Sequence, residues 1–117
     1  MEPARGMKNH EPEYIARRCF ELAEAKKAED LVWLDLRGES SVCDFFIIGS
    51  GLSEPHLKAL ADHIETELRL EKILAKGVDG FPGSQWVILD YVDVLVHIFL
   101  KEKRKFYGLE QLWGTTK

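Results

Sequence analysis

The chain has 117 residues, 45% of them hydrophobic and 31% charged, the size and balance of one globular domain whose core needs no staples. No run of about 18 apolar residues occurs, so no segment reads as a membrane-spanning helix. Twenty Asp and Glu against sixteen Lys and Arg leave a net charge of −4; nucleic-acid binders carry a basic footprint, so this acidity suits a basic protein surface better than bare RNA.

Residues 1–11 are polar, with no apolar stretch of the kind a secretory signal needs, and Arg5 is too little for a transit peptide. They are expected to be a disordered extension, with Met7 as an alternative start, and residues 12–117 to form the domain. Pro12 suits a first helical turn. Ile15, Cys19, Leu22 and Ala23 then recur at helical spacing, which predicts an amphipathic helix to about Lys27. Leu31–Leu36 and Phe45–Ile48 are near-continuous apolar runs and read as strands buried on both faces, joined by a polar loop over Arg37–Val42. Gly49-Ser50-Gly51 ends the second strand. Ser53 is a good N-cap, and Leu57, Leu60, Ala61, Ile64 and Leu68 mark the clearest helix in the chain. Leu74–Val78 is a weak strand, and the segment from Gly80 to Gly83 is irregular. Trp86–Leu89 and Val94–Phe99 form a hairpin, Lys101–Tyr107 a short helix, and Leu109–Trp113 a closing segment. The order predicts an α/β domain with a mixed sheet of about five strands flanked by helices.

If Asp90 pairs with Asp93, then Leu89 faces Val94, Ile88 faces Leu95, Val87 faces Val96 and Trp86 faces His97. Strand side chains alternate, so Val87, Leu89, Val94, Val96 and Ile98 form an aliphatic core face. The other face mixes Trp86, Ile88, Asp90, Asp93, Leu95, His97 and Phe99, and either packs under a helix or meets a partner; Trp86 and His97 point toward partner contact, tryptophan being a common interface anchor. Val92 is a poor residue for a tight turn, and a wider turn would move the faces by one residue.

Chemistry-bearing patterns are sparse. Gly49-Ser50-Gly51 could cradle a phosphate, but it is neither a dinucleotide fingerprint nor a P-loop, and a tight strand-to-helix turn explains it as well. Asp35 shares a strand face with Arg37, while Asp90 and Asp93 sit at the hairpin tip; these read as salt-bridge and turn residues. His56 and His63 lie about 10 Å apart along one helix and would need further ligands to hold a metal. Cys19 and Cys43 lack metal-ligand spacing and read as reduced core thiols of a cytoplasmic protein. No catalytic residue, cofactor or metal is predicted.

Three blocks together carry a resemblance: Leu34-Asp35-Leu36-Arg37-Gly38 with Ser40–Gly51, then Trp86–Phe99, then Phe106-Tyr107-Gly108-Leu109-Glu110-Gln111-Leu112-Trp113. In this order they resemble the Iojap family of ribosome-silencing factors over roughly Pro12–Gly114. The resemblance implies a nucleotidyltransferase-like α/β fold and a non-enzymatic protein that acts in starvation or stationary phase. It further implies binding to the large ribosomal subunit through its fourteenth protein, where the small subunit would dock, so that joining is blocked. Carried over by position, the partner contacts are Trp86, Asp90, Asp93, His97, Tyr107 and Trp113, with Leu109 and Leu112 more simply explained by docking of the tail onto the body. Several family members form homodimers, which makes a homodimer a candidate state here. Cys43 stands where the family usually has threonine and Val92 where glycine is frequent; the paired aspartates of nucleotidyltransferases are absent. Two alternatives stay open: a nucleotide-binding or nucleotidyltransferase-like enzyme using Gly49-Ser50-Gly51, and an RNA-binding module using Lys101–Lys105.

Overall fold

Periodicity and caps explain the helices. In the computed structural model, which describes residues 11–39, 43–80 and 85–103, α1 spans Pro12–Ala25 with Pro12 in its first turn and Ile15, Ala16, Cys19, Leu22 and Ala23 buried. α2 spans Glu54–Leu70, and the Ser53 hydroxyl accepts the His56 backbone N–H at 3.2 Å. Its buried stripe is Leu57, Leu60, Ala61, Ile64 and Leu68, the stripe that the spacing predicts. Both helices stop at a lysine in the left-handed region, Lys27 at φ 62° and Lys72 at φ 68°. There the Ala28 and Ile73 amides reach back to the Ala23 and Leu68 carbonyls, 3.0 and 2.9 Å away, closing carbonyls the helix would leave unpaired.

The strands are β1 (Glu29–Asp35), β2 (Phe45–Gly51), β3 (Gly77–Asp79), β4 (Trp86–Asp90) and β5 (Val94–Leu100), followed by a 3-10 turn over Lys101–Lys103. They form one sheet in the order β1-β2-β5-β4-β3. β2 and β5 pair in parallel; the other neighbours are antiparallel. The mixed five-stranded sheet is therefore as expected. β2 lies second in that order and is buried along its whole length. β1 is not buried on both faces: it is an edge strand, and of its apolar residues only Leu34 is buried, with Leu31, Val32 and Trp33 half-buried. An apolar run alone does not separate an edge strand from a central one. The weak strand expected over Leu74–Val78 forms only at Gly77–Asp79, because the turn out of α2 buries Ile73 and leaves Leu74 69% exposed.

The hairpin register differs from expectation by two residues. Asp90 pairs with Leu95, Leu89 with Val96, Ile88 with His97, Val87 with Ile98 and Trp86 with Phe99. The cause is a wider turn, in which the Tyr91 amide donates to the Val94 carbonyl at 2.9 Å and the Asp93 amide to the Tyr91 carbonyl at 2.8 Å. A shift of two preserves strand parity, so the face assignment holds. Val87, Leu89, Val94, Val96 and Ile98, with Phe45 and Ile47, pack against α1 and α2 in the main core. The opposite face holds a second cluster of Leu34, Leu36, Cys43, Phe46, Ile48 and Phe99, with Val32, Trp86 and Leu95 packed against it.

Candidate partner-binding face

Trp86 and His97 lie on that second face, on adjacent strands and two register positions apart, because Trp86 pairs with Phe99 and Ile88 with His97. The Trp86 indole N–H donates to His97 Nδ1 at 3.2 Å, so the ring proton of a neutral His97 sits on Nε2. Trp86 is half-buried. Its ring lies 5.0 Å from Phe99 and 6.0 Å from His97 between centroids, and His97 in turn lies 4.6 Å from Phe46. His97 is only 4% exposed and presents no surface of its own. Its Nε2 has no hydrogen-bond partner among the described residues. Burial in this apolar setting pulls its pKa down to about 4, keeping the ring neutral near pH 7.

The hairpin tip is acidic. Asp90 is half-buried and Asp93 exposed. Asp90 Oδ1 accepts the Val92 amide at 2.8 Å, which accounts for one oxygen as a turn brace. Val92 itself adopts φ 73° and is 56% exposed, a strained conformation for a β-branched residue. Other carboxylates gather at this end of the sheet. The Asp44 amide donates to the Asp93 carbonyl at 2.8 Å, and Asp35 pairs in register with Phe45. Glu11, Glu13, Arg37 and Asp44 line one shallow cleft there. Arg37 is the cation in the group: its guanidinium grips Asp35 at 3.0 and 2.6 Å and lies over the Phe45 ring. The Asp35–Arg37 ion pair is thus as the strand pattern suggests. The gathering of Glu13, Asp35, Asp44, Asp90 and Asp93 is not visible in the sequence, where no local run of acid marks it.

Gly49-Ser50-Gly51 forms the last three residues of β2 rather than an open loop, and all three are buried. A Cβ on Gly51 would stand 3.0 Å from the Leu57 side chain and 3.2 Å from its backbone nitrogen; one on Gly49 would meet Leu31 at 3.0 Å. These glycines let α2 and the β1 entry approach the strand, and that space holds no room for a phosphate. Cys19 and Cys43 are free, buried thiols. Burial raises both, Cys43 to about 11 with the carboxylates of Asp44, Asp93 and Asp90 adding to the effect. His56 is a structural clamp: Nδ1 accepts the Leu52 amide at 2.9 Å, and Nε2 stands 2.9 Å from the Lys26 carbonyl at the end of α1. Among the described residues no group of three or more His, Cys, Asp or Glu side chains could hold a metal, and no helix is long and apolar enough to cross a membrane. Lys101 is engaged with Glu29 at 2.9 Å. Tyr107, Leu109, Leu112 and Trp113 lie outside the described residues, as do residues 1–10 and the rest of the basic run from Arg104.

Fold and site define the class first: an α/β domain whose sheet, among the described residues, carries two helices on one face and an aromatic cluster with a half-buried tryptophan on the other. The family described as "Ribosomal silencing factor during starvation" matches residues 8–117. The ribosomal silencing factor RsfS of Bacillus subtilis (strain 168) is 42% identical over 89 residues, 76% of this chain and 75% of that protein. A crystal structure of a Chromobacterium violaceum protein superposes with a TM-score of 0.85 at 32% identity, covering 89% of this chain and 87% of that one. The chain belongs to the ribosomal silencing factor family. Organelle proteins are more distant: the chloroplastic Iojap protein of Arabidopsis thaliana is 35% identical over 71 residues, 60% of this chain and 29% of that protein. The mouse "Mitochondrial assembly of ribosomal large subunit protein 1" is 28% identical over 95 residues, 79% of this chain and 42% of that protein.

Proposed function

We propose that this chain represses translation in the cytoplasm by binding the large ribosomal subunit through its fourteenth protein and obstructing the surface on which the small subunit docks. The observation that carries the reading is Trp86, half-buried on a rigid sheet face and fixed there by His97 and Phe99. A preorganised aromatic anchor is what a binding surface needs. The acidic hairpin end adds charge complementary to a basic ribosomal protein surface. Family membership and the name of the mouse relative, which refers to assembly of the large subunit, support the choice of partner. The reaction is steric: no bond is made or broken, and Trp86, Asp90, Asp93, Tyr107 and Trp113 would meet the partner, with His97 behind Trp86. A homodimer is compatible with this reading and forms no part of it.

Recovery of large subunits from lysate on the immobilised chain tests the proposal. Wild type should retain them, and a folded Trp86→Ala variant should lose most of them. Wild type should also slow the association of purified subunits; an unchanged joining rate at saturating protein would defeat the steric mechanism.

A further inference from the structure

We infer that His97 is a positioning residue: it holds the Trp86 indole in the orientation that partner binding uses, and the inference rests on the Trp86 contact proposed above. Histidine is a costly residue at this site. The side chains around it on the same face, Phe46 and Ile48 on β2, Leu95 and Phe99 on β5, and Trp86 and Ile88 on β4, are all uncharged and none is titratable in the ordinary range. A phenylalanine would fill such a place without burying a polar atom. His97 instead buries Nε2 with no partner among the described residues, which is unfavourable. The gain on the other side is the acceptor at Nδ1, to which the Trp86 indole N–H donates at 3.2 Å.

That bond has a steric guarantee. His97 is 4% exposed, lies nearly parallel to Phe99 at 11°, and abuts Phe46 at 4.6 Å between centroids, so its ring cannot turn away without disrupting the cluster. The acceptor is therefore a fixed point, and Trp86, tilted 36° against Phe99 at 5.0 Å, is oriented by this polar contact as well as by ring packing. Without the acceptor the indole would keep its packing but lose its rotational lock, and binding would have to freeze it at the moment of contact. Histidine here trades stability for a fixed anchor.

Three variants separate this from simple packing. His97→Phe keeps an aromatic ring and removes the acceptor, His97→Asn places an amide oxygen near the Nδ1 position, and Trp86→Ala removes the anchor. Two readouts are taken on each: affinity for purified large subunits, and solvent exchange of the Trp86 indole N–H in nitrogen-15 spectra, assigned by its disappearance in Trp86→Phe. His97→Phe should weaken binding about tenfold, the size of one lost hydrogen bond, and speed indole exchange while its melting temperature does not fall. His97→Asn should restore most of both. If Trp86→Ala weakens binding and His97→Phe does not, this inference fails and the Trp86 contact stands. If Trp86→Ala binds like wild type, the contact fails and takes the inference with it. Weak binding by both histidine variants with unchanged indole exchange would also overturn it, since the effect would then be packing. Should His97→Phe not fold, His97→Leu takes its place with the same expectations.

Discussion

Single residues on the second sheet face and its hairpin carry opposing demands of stability and presentation. Val92 at φ 73° centres a three-residue turn that closes from Asp93 to Tyr91, a conformation that costs a β-branched residue. Val92→Gly should raise stability by about 1 kcal/mol, seen as a higher urea midpoint at unchanged slope; an unchanged midpoint would mean that the turn is not strained. Burial pulls the His97 pKa down to about 4 from the ordinary 6.5. Above 6.5 neither state carries the proton, so the residue adds no pH dependence there. As pH falls from 6.5 toward 4, the unfolded chain takes up a proton that the native state refuses. Stability should then drop by up to about 1.4 kcal/mol per pH unit. His97→Phe lacks this component, so its stability advantage over wild type should widen across that window in denaturant titrations. A constant difference between the two proteins would show that the ring is not held neutral.

Whole elements are set by contacts that act across the chain. α2 lies against β2 so closely that its first turn meets the strand at Gly51. Gly51→Ala forces that turn outward and should cost about 1–3 kcal/mol, measured by thermal or urea unfolding, with little change in helix content by circular dichroism. Substitution without loss would mean that the helix entry yields freely. The far ends of the helices are joined by Glu71, which accepts the Tyr14 hydroxyl at 2.6 Å and the Arg18 guanidinium at 2.8 Å. Together with the His56 clamp between the end of α1 and the start of α2, this fixes α1 and α2 as one layer on one face of the sheet.

The molecule as a whole is acidic, and the fold concentrates part of that charge. Glu13, Asp35, Asp44, Asp90 and Asp93 come from α1, the end of β1, the entry to β2 and the hairpin, and Arg37 partly offsets them. Exposed charges of this kind steer association more than they strengthen a bound complex. The double change Asp90→Asn with Asp93→Asn should slow large-subunit association several-fold at low salt and flatten its dependence on ionic strength, with a smaller effect on dissociation, as followed by surface-binding kinetics. An equal loss at all salt concentrations would argue for local contacts instead of steering.

The sequence alone was enough for α1 and α2, the buried β2, the order of the elements from α1 to β5, the alternating faces of the hairpin and the likeness to silencing factors; of the helix expected over Lys101–Tyr107, the described residues form a 3-10 turn at Lys101–Lys103 and the remainder lies outside them. These rest on local rules: helical spacing in Leu57–Leu68, a Ser53 cap, strand alternation in Trp86–Phe99, and motif blocks that need no coordinates. Three features were decided only by tertiary structure. β1 became an edge because pairing order depends on which strands meet, and Leu31–Leu36 reads the same in either place. The hairpin register moved by two because the turn, braced by Asp90 and closed by Tyr91, competes with strand pairing. The burial of Trp86 and His97 separated, one half-buried and the other buried beside it, because burial is a property of the assembled layers; alternation places both on one face but cannot say which of them reaches solvent.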